Sequence, residues 1–157
     1  MFRITLFSLF FSTFMHAQTE DTPIVDQTLN GIKKSDAVII DRVQAMIKEK
    51  KLLSHDEVVK QLQDPQPEAV SLVPAQEKAL GTEEIGQRGR QANLRVGYCY
   101  LCTKCDHWHL NLAGGYAIAK DVVVTCEHVV NTSSEIREGY LIVVDADQKV
   151  HAVKSLM

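Results

Sequence analysis

The hydrophobic rhythm of the chain changes partway along it. In "SDAVIIDRVQAMIKEKK", residues 35–51, Ile39, Ile40, Val43, Met46 and Ile47 recur three and four positions apart, which gathers them on one side of a helix. Ser35 stands where an N-cap belongs. A second helix is expected in "SHDEVVKQLQD", residues 54–64, because Ser54 and Glu57 have capping-box spacing and can satisfy unpaired amides of the first turn. Asp64-Pro65 ends it, since proline disfavours helix in the residue before it. Two short amphipathic helices bury little by themselves, so they are expected to pack on another layer.

From Leu94 the period becomes that of strands. "LRVGYCYLC", "GGYAIAK", "DVVVTC", "GYLIVVDA" and "KVHAVKSL" are short, β-branched or aromatic-rich, and bounded by turn residues. "DADQK", residues 145–149, separates the last two as a hairpin turn would, which makes Asp145 and Asp147 turn residues. Several strands without intervening helices imply an all-β barrel or sandwich. Between the two regimes lie Pro65, Pro67 and Pro74, while seven of the eight glycines follow residue 80. The chain therefore divides near residues 64–80. Past the linker, "TEEIGQRGRQ" offers a short helix with Thr82 as cap and Glu83 and Glu84 favourably placed for the helix dipole.

The first residues, "MFRITLFSLFFSTFMHAQ", pair the basic Arg3 with an apolar run from Ile4 to Met15 and a small residue at Ala17. They read as a secretory signal, cut after Ala17, because a membrane span needs about 20 apolar residues and this run is shorter. Export, to a periplasm or the extracellular space, makes disulfides possible for Cys99, Cys102, Cys105 and Cys126. With 17 Lys+Arg against 20 Asp+Glu and no dense basic stripe, nucleic-acid binding has no support. No other segment could span a membrane, so none is expected to hold the chain there after signal cleavage.

Two constellations carry chemistry. In "GGYAIAKDVVVTCEHVV", residues 114–130, a Gly-Gly-aromatic strand, a turn at Lys120-Asp121 and a Val-Val-Val-Thr strand lead into Cys-Glu-His-Val-Val. This resembles the start of the catalytic domain in trypsin-like serine proteases of the HtrA/Deg type. Their pattern is a Gly-x-Gly-Phe strand, a short turn, and a strand ending in Thr-x-x-His-Val. Gly115 and Tyr116 match the Gly-aromatic pair, and Thr125, His128 and Val129 the histidine motif. The resemblance implies a chymotrypsin-like double β-barrel, a polypeptide substrate, and His128 as the general base of a Ser-His-Asp triad. It also implies what is missing. No Gly-x-Ser-Gly stretch exists and the serines after His128 are Ser133, Ser134 and Ser155, so the chain holds no nucleophile. The family's Asp follows the hairpin occupied here by Asp145 and Asp147, so no triad Asp is expected in the chain either. Glu127 is expected to be solvated rather than to replace that Asp, and a Cys126–His128 nucleophilic dyad does not suit an architecture whose attacking atom comes from the second lobe.

The second constellation is "CYLCTKCDHWH", residues 99–109. Cys102, Cys105, His107 and His109 mix thiolate and imidazole donors of the kind tetrahedral Zn²⁺ takes, although four ligands within eight residues are tighter than two separated pairs. Asp106 interrupts a c-type haem attachment motif. Disulfides among the four cysteines, or plain packed thiols, remain alternatives. Trp108 is expected to be buried, and His55 and His151 to be structural or surface residues.

These expectations give residues 1–17 as signal peptide, 18–64 as a helical region, 65–91 as a linker with a short helix, and 92–157 as a truncated trypsin-like domain, mainly β. The chain is expected to be the inactive N-terminal fragment of an exported serine endopeptidase. The competing expectation is an exported zinc-binding or interaction protein built around the cluster at 99–109.

Overall fold

The computed structural model describes residues 2–6, 27–72, 79–132 and 135–157, with side chains described from Asp36 onward. The expected cleavage point after Ala17, Pro74 of the linker, and Ser133 and Ser134 lie outside the described residues. In chain order the elements are β1 (Phe2–Leu6), α1 (Gln27–Lys48), β2 (Leu53–Ser54), α2 (His55–Gln63), α3 (Thr82–Ala92), β3 (Asn93–Cys102), β4 (Trp108–Ala119), β5 (Val122–Thr125), α4 (Glu127–Val130), β6 (Ile136–Val144) and β7 (Val150–Leu156).

The fold is mainly β, and its sheet is antiparallel apart from β1. Strand β3 pairs along one edge with β4, from Asn93↔Tyr116 to Leu101↔Trp108, and along the other with β6, from Arg95↔Val144 to Cys102↔Ile136. Strand β4 continues into β5, and β6 pairs with both β2 and β7. The pairing of β6 with β7 turns the sheet back on itself as a partial barrel. Phe2–Leu6 completes the ring: β1 lies parallel to β5 on one side and to β7 on the other. Part of the segment with signal-peptide composition thus forms a strand, which its apolar, β-branched run permits.

Alternation along β3 and β6 sends side chains into two cores. Leu94, Val96 and Tyr98 of β3 and Leu141 and Val143 of β6 join Val123, Val130, Val153 and Leu156 inside the curl. Cys99, Ile142 and Val144 face the other way and are covered by Ile39 and Val43 of α1, with Trp108, Leu110 and Leu112 of β4 packed alongside. Burial on both faces explains why β6 reads as an unbroken Leu-Ile-Val-Val run rather than an alternating one. Ile39 and Val43 are fully buried, and each such side chain contributes about 1.5–3 kcal/mol. That sum is a large share of the roughly 5–15 kcal/mol that stabilises a typical domain, so α1 is an integral layer of the fold. Trp108 is half-buried at the edge of the same core.

Helix α2 has the expected capping box, with the Glu57 amide donating to Ser54 Oγ at 3.4 Å and the Ser54 amide to Glu57 Oε2 at 2.8 Å. The Ser54 hydroxyl also donates to Glu57 Oε2 at 2.6 Å, and that bond and the one from the Ser54 amide hold the carboxyl below its ordinary pKa. Two boundaries differ from expectation. Helix α1 begins at Gln27, so Ser35 lies inside it; the helix runs through Asn30-Gly31 despite their poor helix propensity, and no proline interrupts it. Helix α3 is capped by Gly81, and Thr82 is its first residue.

At Gly97 the β4 backbone fills the space a side chain would need. The glycine's φ is +153°, and a Cβ there would lie 2.0 Å from the Asn111 carbonyl oxygen on β4. Gly97→Ala is therefore expected to destabilise the protein by about 3 kcal/mol or more, read as a lowered midpoint in urea denaturation, whereas Gly81→Ala, which meets open space, should cost far less.

Candidate functional site

His128 is placed by the β4–β5 hairpin and by the short helix α4. The hairpin registers Gly115 against Thr125. At Gly115 a Cβ would come 2.4 Å from Val96 Cγ2 and 3.2 Å from Val123 Cγ1, so glycine lets the strands press onto the core. Thr125 is buried, and its hydroxyl donates to the Gly114 carbonyl at 2.9 Å, locking the end of β5 to β4. The chain then turns at Cys126 into the single turn of α4. Val130 at the far end of that turn is fully buried, and its carbonyl accepts a 2.9 Å hydrogen bond from the Tyr98 hydroxyl. Burial raises the Tyr98 phenol far above its ordinary pKa and so keeps it a donor. Anchored at both ends, α4 leaves Cys126, Glu127 and His128 on the outside.

Among the described residues, His128 has no hydrogen-bond or ion-pair partner. Glu127 is exposed and accepts from the Asn131 side-chain amide at 3.2 Å, so it does not orient His128. No hydrogen bond joins Cys126 to His128, and Cys126 is an exposed free thiol. Asp145 and Asp147 sit in the β6–β7 turn. Asp145 Oδ1 accepts the amides of Asp147 at 3.0 Å and Lys149 at 2.9 Å, and its Oδ2 meets His151 Nε2 at 2.7 Å. Burial raises the Asp145 carboxyl, but the His151 bond and the Lys149 and Asp147 amides outweigh it and leave the pKa below the ordinary value. Asp145 thus serves its own hairpin and His151, not His128.

Two histidine environments escaped sequence reasoning. His151 pairs with Asp145 across the turn, a contact that their six-residue separation around a tight hairpin could have suggested. His55 Nε2 lies 3.1 Å from the Thr132 carbonyl and its ring meets Tyr98 edge-on at 5.4 Å, a contact between residues far apart in the chain.

The second cluster lies where β3 leads into β4. The Cys102 amide donates to the His107 carbonyl at 3.2 Å, the His107 amide to the Cys105 carbonyl at 2.7 Å, and the Thr103 amide to the Glu135 carbonyl at 2.9 Å. This loop brings Cys102, Cys105 and His109 together, with their ligand atoms within 4.8 Å of one another. His109 Nε2 is 3.0 Å from Cys105 Sγ, and Tyr100 stacks on the His109 ring at 5.6 Å. The Lys104 and Cys105 amides point at the Cys102 sulfur, the former at 3.4 Å, and hold that thiol below its ordinary pKa. Burial and the hydrogen bond to Cys102 push the Cys105 thiol up. His107 is exposed and stands outside the group. Cys99 is fully buried on the opposite face, where burial pushes its thiol up to about 12, and all four cysteines are free thiols.

Removing the Tyr98 hydroxyl tests how α4 is held. Tyr98→Phe leaves the Val130 carbonyl without its partner and should cost about 1–3 kcal/mol, together with faster amide hydrogen exchange at Val129 to Asn131. Unchanged exchange would show that α4 does not depend on the bond. Comparison with protein-family models, with curated proteins and with solved structures finds no match to this chain.

Proposed function

We propose that this chain is the N-terminal portion of an exported serine endopeptidase of the trypsin-like, HtrA/Deg type, with His128 as the base of its triad. The observation that carries this reading is the exposed imidazole held at the end of the β4–β5 hairpin, anchored through Thr125 and Val130 on a curved antiparallel sheet. A general base must bring one ring nitrogen to a proton on another group, so that nitrogen must be accessible from outside the fold. His151 is tied to Asp145 and His55 is packed on Tyr98, whereas His128 is exposed and unengaged among the described residues.

In the complete enzyme, His128 takes the serine proton as the hydroxyl oxygen attacks the scissile carbonyl. It then returns that proton to the leaving amine, and water repeats the sequence on the acyl-enzyme. A carboxylate must hold the other ring nitrogen, and backbone amides must receive the developing oxyanion. On this reading the serine, the aspartate and the oxyanion hole all come from sequence beyond Met157, so the chain by itself has no hydrolase activity. On the same reading β1 is temporary, because signal cleavage after Ala17 removes Phe2–Leu6 from between β5 and β7.

The native transcript tests this directly. An in-frame segment of Asp-Leu-Ala type soon after the codon for Met157, followed later by Gly-x-Ser-Gly, is expected. A stop codon directly after Met157, or a longer frame lacking both segments, would contradict the reading.

A further inference from the structure

The geometry points to a zinc site made by three protein ligands, Cys102, Cys105 and His109, with the fourth coordination position left to a ligand from solution. Donors on a tetrahedral zinc stand about 3.5–3.8 Å apart, given Zn–S of about 2.3 Å and Zn–N of about 2.0 Å. The three donor atoms already fall within 4.8 Å of one another, and the Cys105–His109 pair at 3.0 Å needs only to open slightly.

The surroundings are those of a metal loop. The backbone bonds of Cys102, Thr103 and His107 fix the loop from within and to Glu135. The Lys104 amide donates to the Cys102 sulfur, as an outer-shell group does for a metal-bound thiolate. Tyr100 stacks on the His109 ring, and Nε2 is turned toward Cys105. Two ion pairs, Lys104–Glu135 and Arg137–Asp106, fasten the loop from outside. Two thiolates offset the charge of the dication, so the half-buried site carries no net charge to desolvate.

His107 is exposed and contributes only its backbone, which removes it from the ligand set that the sequence offers. Cys99 lies in the core on the other face of β3, so it does not supply the fourth ligand. Three protein ligands with an open position are the arrangement of exchangeable or catalytic zinc rather than of closed structural zinc. The site does not depend on the protease reading, since it uses none of the residues that hold His128.

The test uses the full chain, purified reduced, with Zn²⁺ and Co²⁺ as probes. The wild type is expected to hold one zinc per chain by elemental analysis. Its cobalt form should show a near-ultraviolet thiolate charge-transfer band and visible bands of tetrahedral cobalt, which shift when imidazole is added. Cys105→Ser and His109→Gln should lower zinc affinity at least about tenfold while circular dichroism shows the β-sheet intact, and His107→Gln and Cys126→Ser should leave it unchanged. Zinc no tighter than in a Cys102→Ser, Cys105→Ser double variant would overturn the site. So would equal loss in His107→Gln, or a mass lower by two hydrogens that marks a Cys102–Cys105 disulfide resistant to mild reduction. A cobalt spectrum indifferent to imidazole would overturn the open position.

Discussion

Everything in this structure hangs on β3, a strand hydrogen-bonded along both edges and buried on both faces. Its inner side chains, Leu94, Val96 and Tyr98, make the centre of the curl, and its outer Cys99 seats α1. Gly97 permits this, because the Asn111 carbonyl occupies the space where any other residue would place its Cβ. A strand confined on four sides cannot shift register without moving both cores, since a slip of one residue would exchange its inner and outer faces. The fixed strand then positions both candidate sites: Tyr98 holds the turn that carries His128, and Cys102 at its end opens the loop that gathers Cys105 and His109.

The two sites are built on opposite principles. Around Cys102, Cys105 and His109 the fold converges, bringing three donors together and fastening their loop by backbone bonds and ion pairs. Around His128 it withholds partners: Glu127 turns to Asn131, and Asp145 to His151. A base whose proton donor and orienting carboxylate arrive from another part of a protein needs such an open setting. A metal loop needs the reverse, because ligands gathered in advance lose less freedom on binding.

Much of the architecture was legible because it is local. The capping box of α2, the Asp145 turn and the strands from Leu94 onward arise from spacing and turn chemistry within a few residues. The packing role of the N-terminal helices was inferable from their amphipathicity, but not that α1 covers the outer residues of β3 and β6 while Val58 of α2 joins the inner core. The start of α1 was misplaced because Ser35 looks like a cap and Asn30-Gly31 just before it reads as a break, yet the helix runs through both. In the cysteine loop, spacing suggested four ligands. The structure brings three of those donors together, because the strand begins at Trp108 and leaves His107 in the turn. The pairing of Phe2–Leu6 with β5 and β7 was not legible at all, since it joins opposite ends of the sequence.

Whether His128 is the base for a nucleophile outside this chain is measured most directly by serine-directed fluorophosphonate labelling of the product of the complete reading frame. Labelling of a serine C-terminal to Met157 is expected, at a rate that falls about a thousandfold or more in His128→Gln and stays unchanged in His107→Gln. Labelling at the same rate with and without the His128 imidazole would contradict that role.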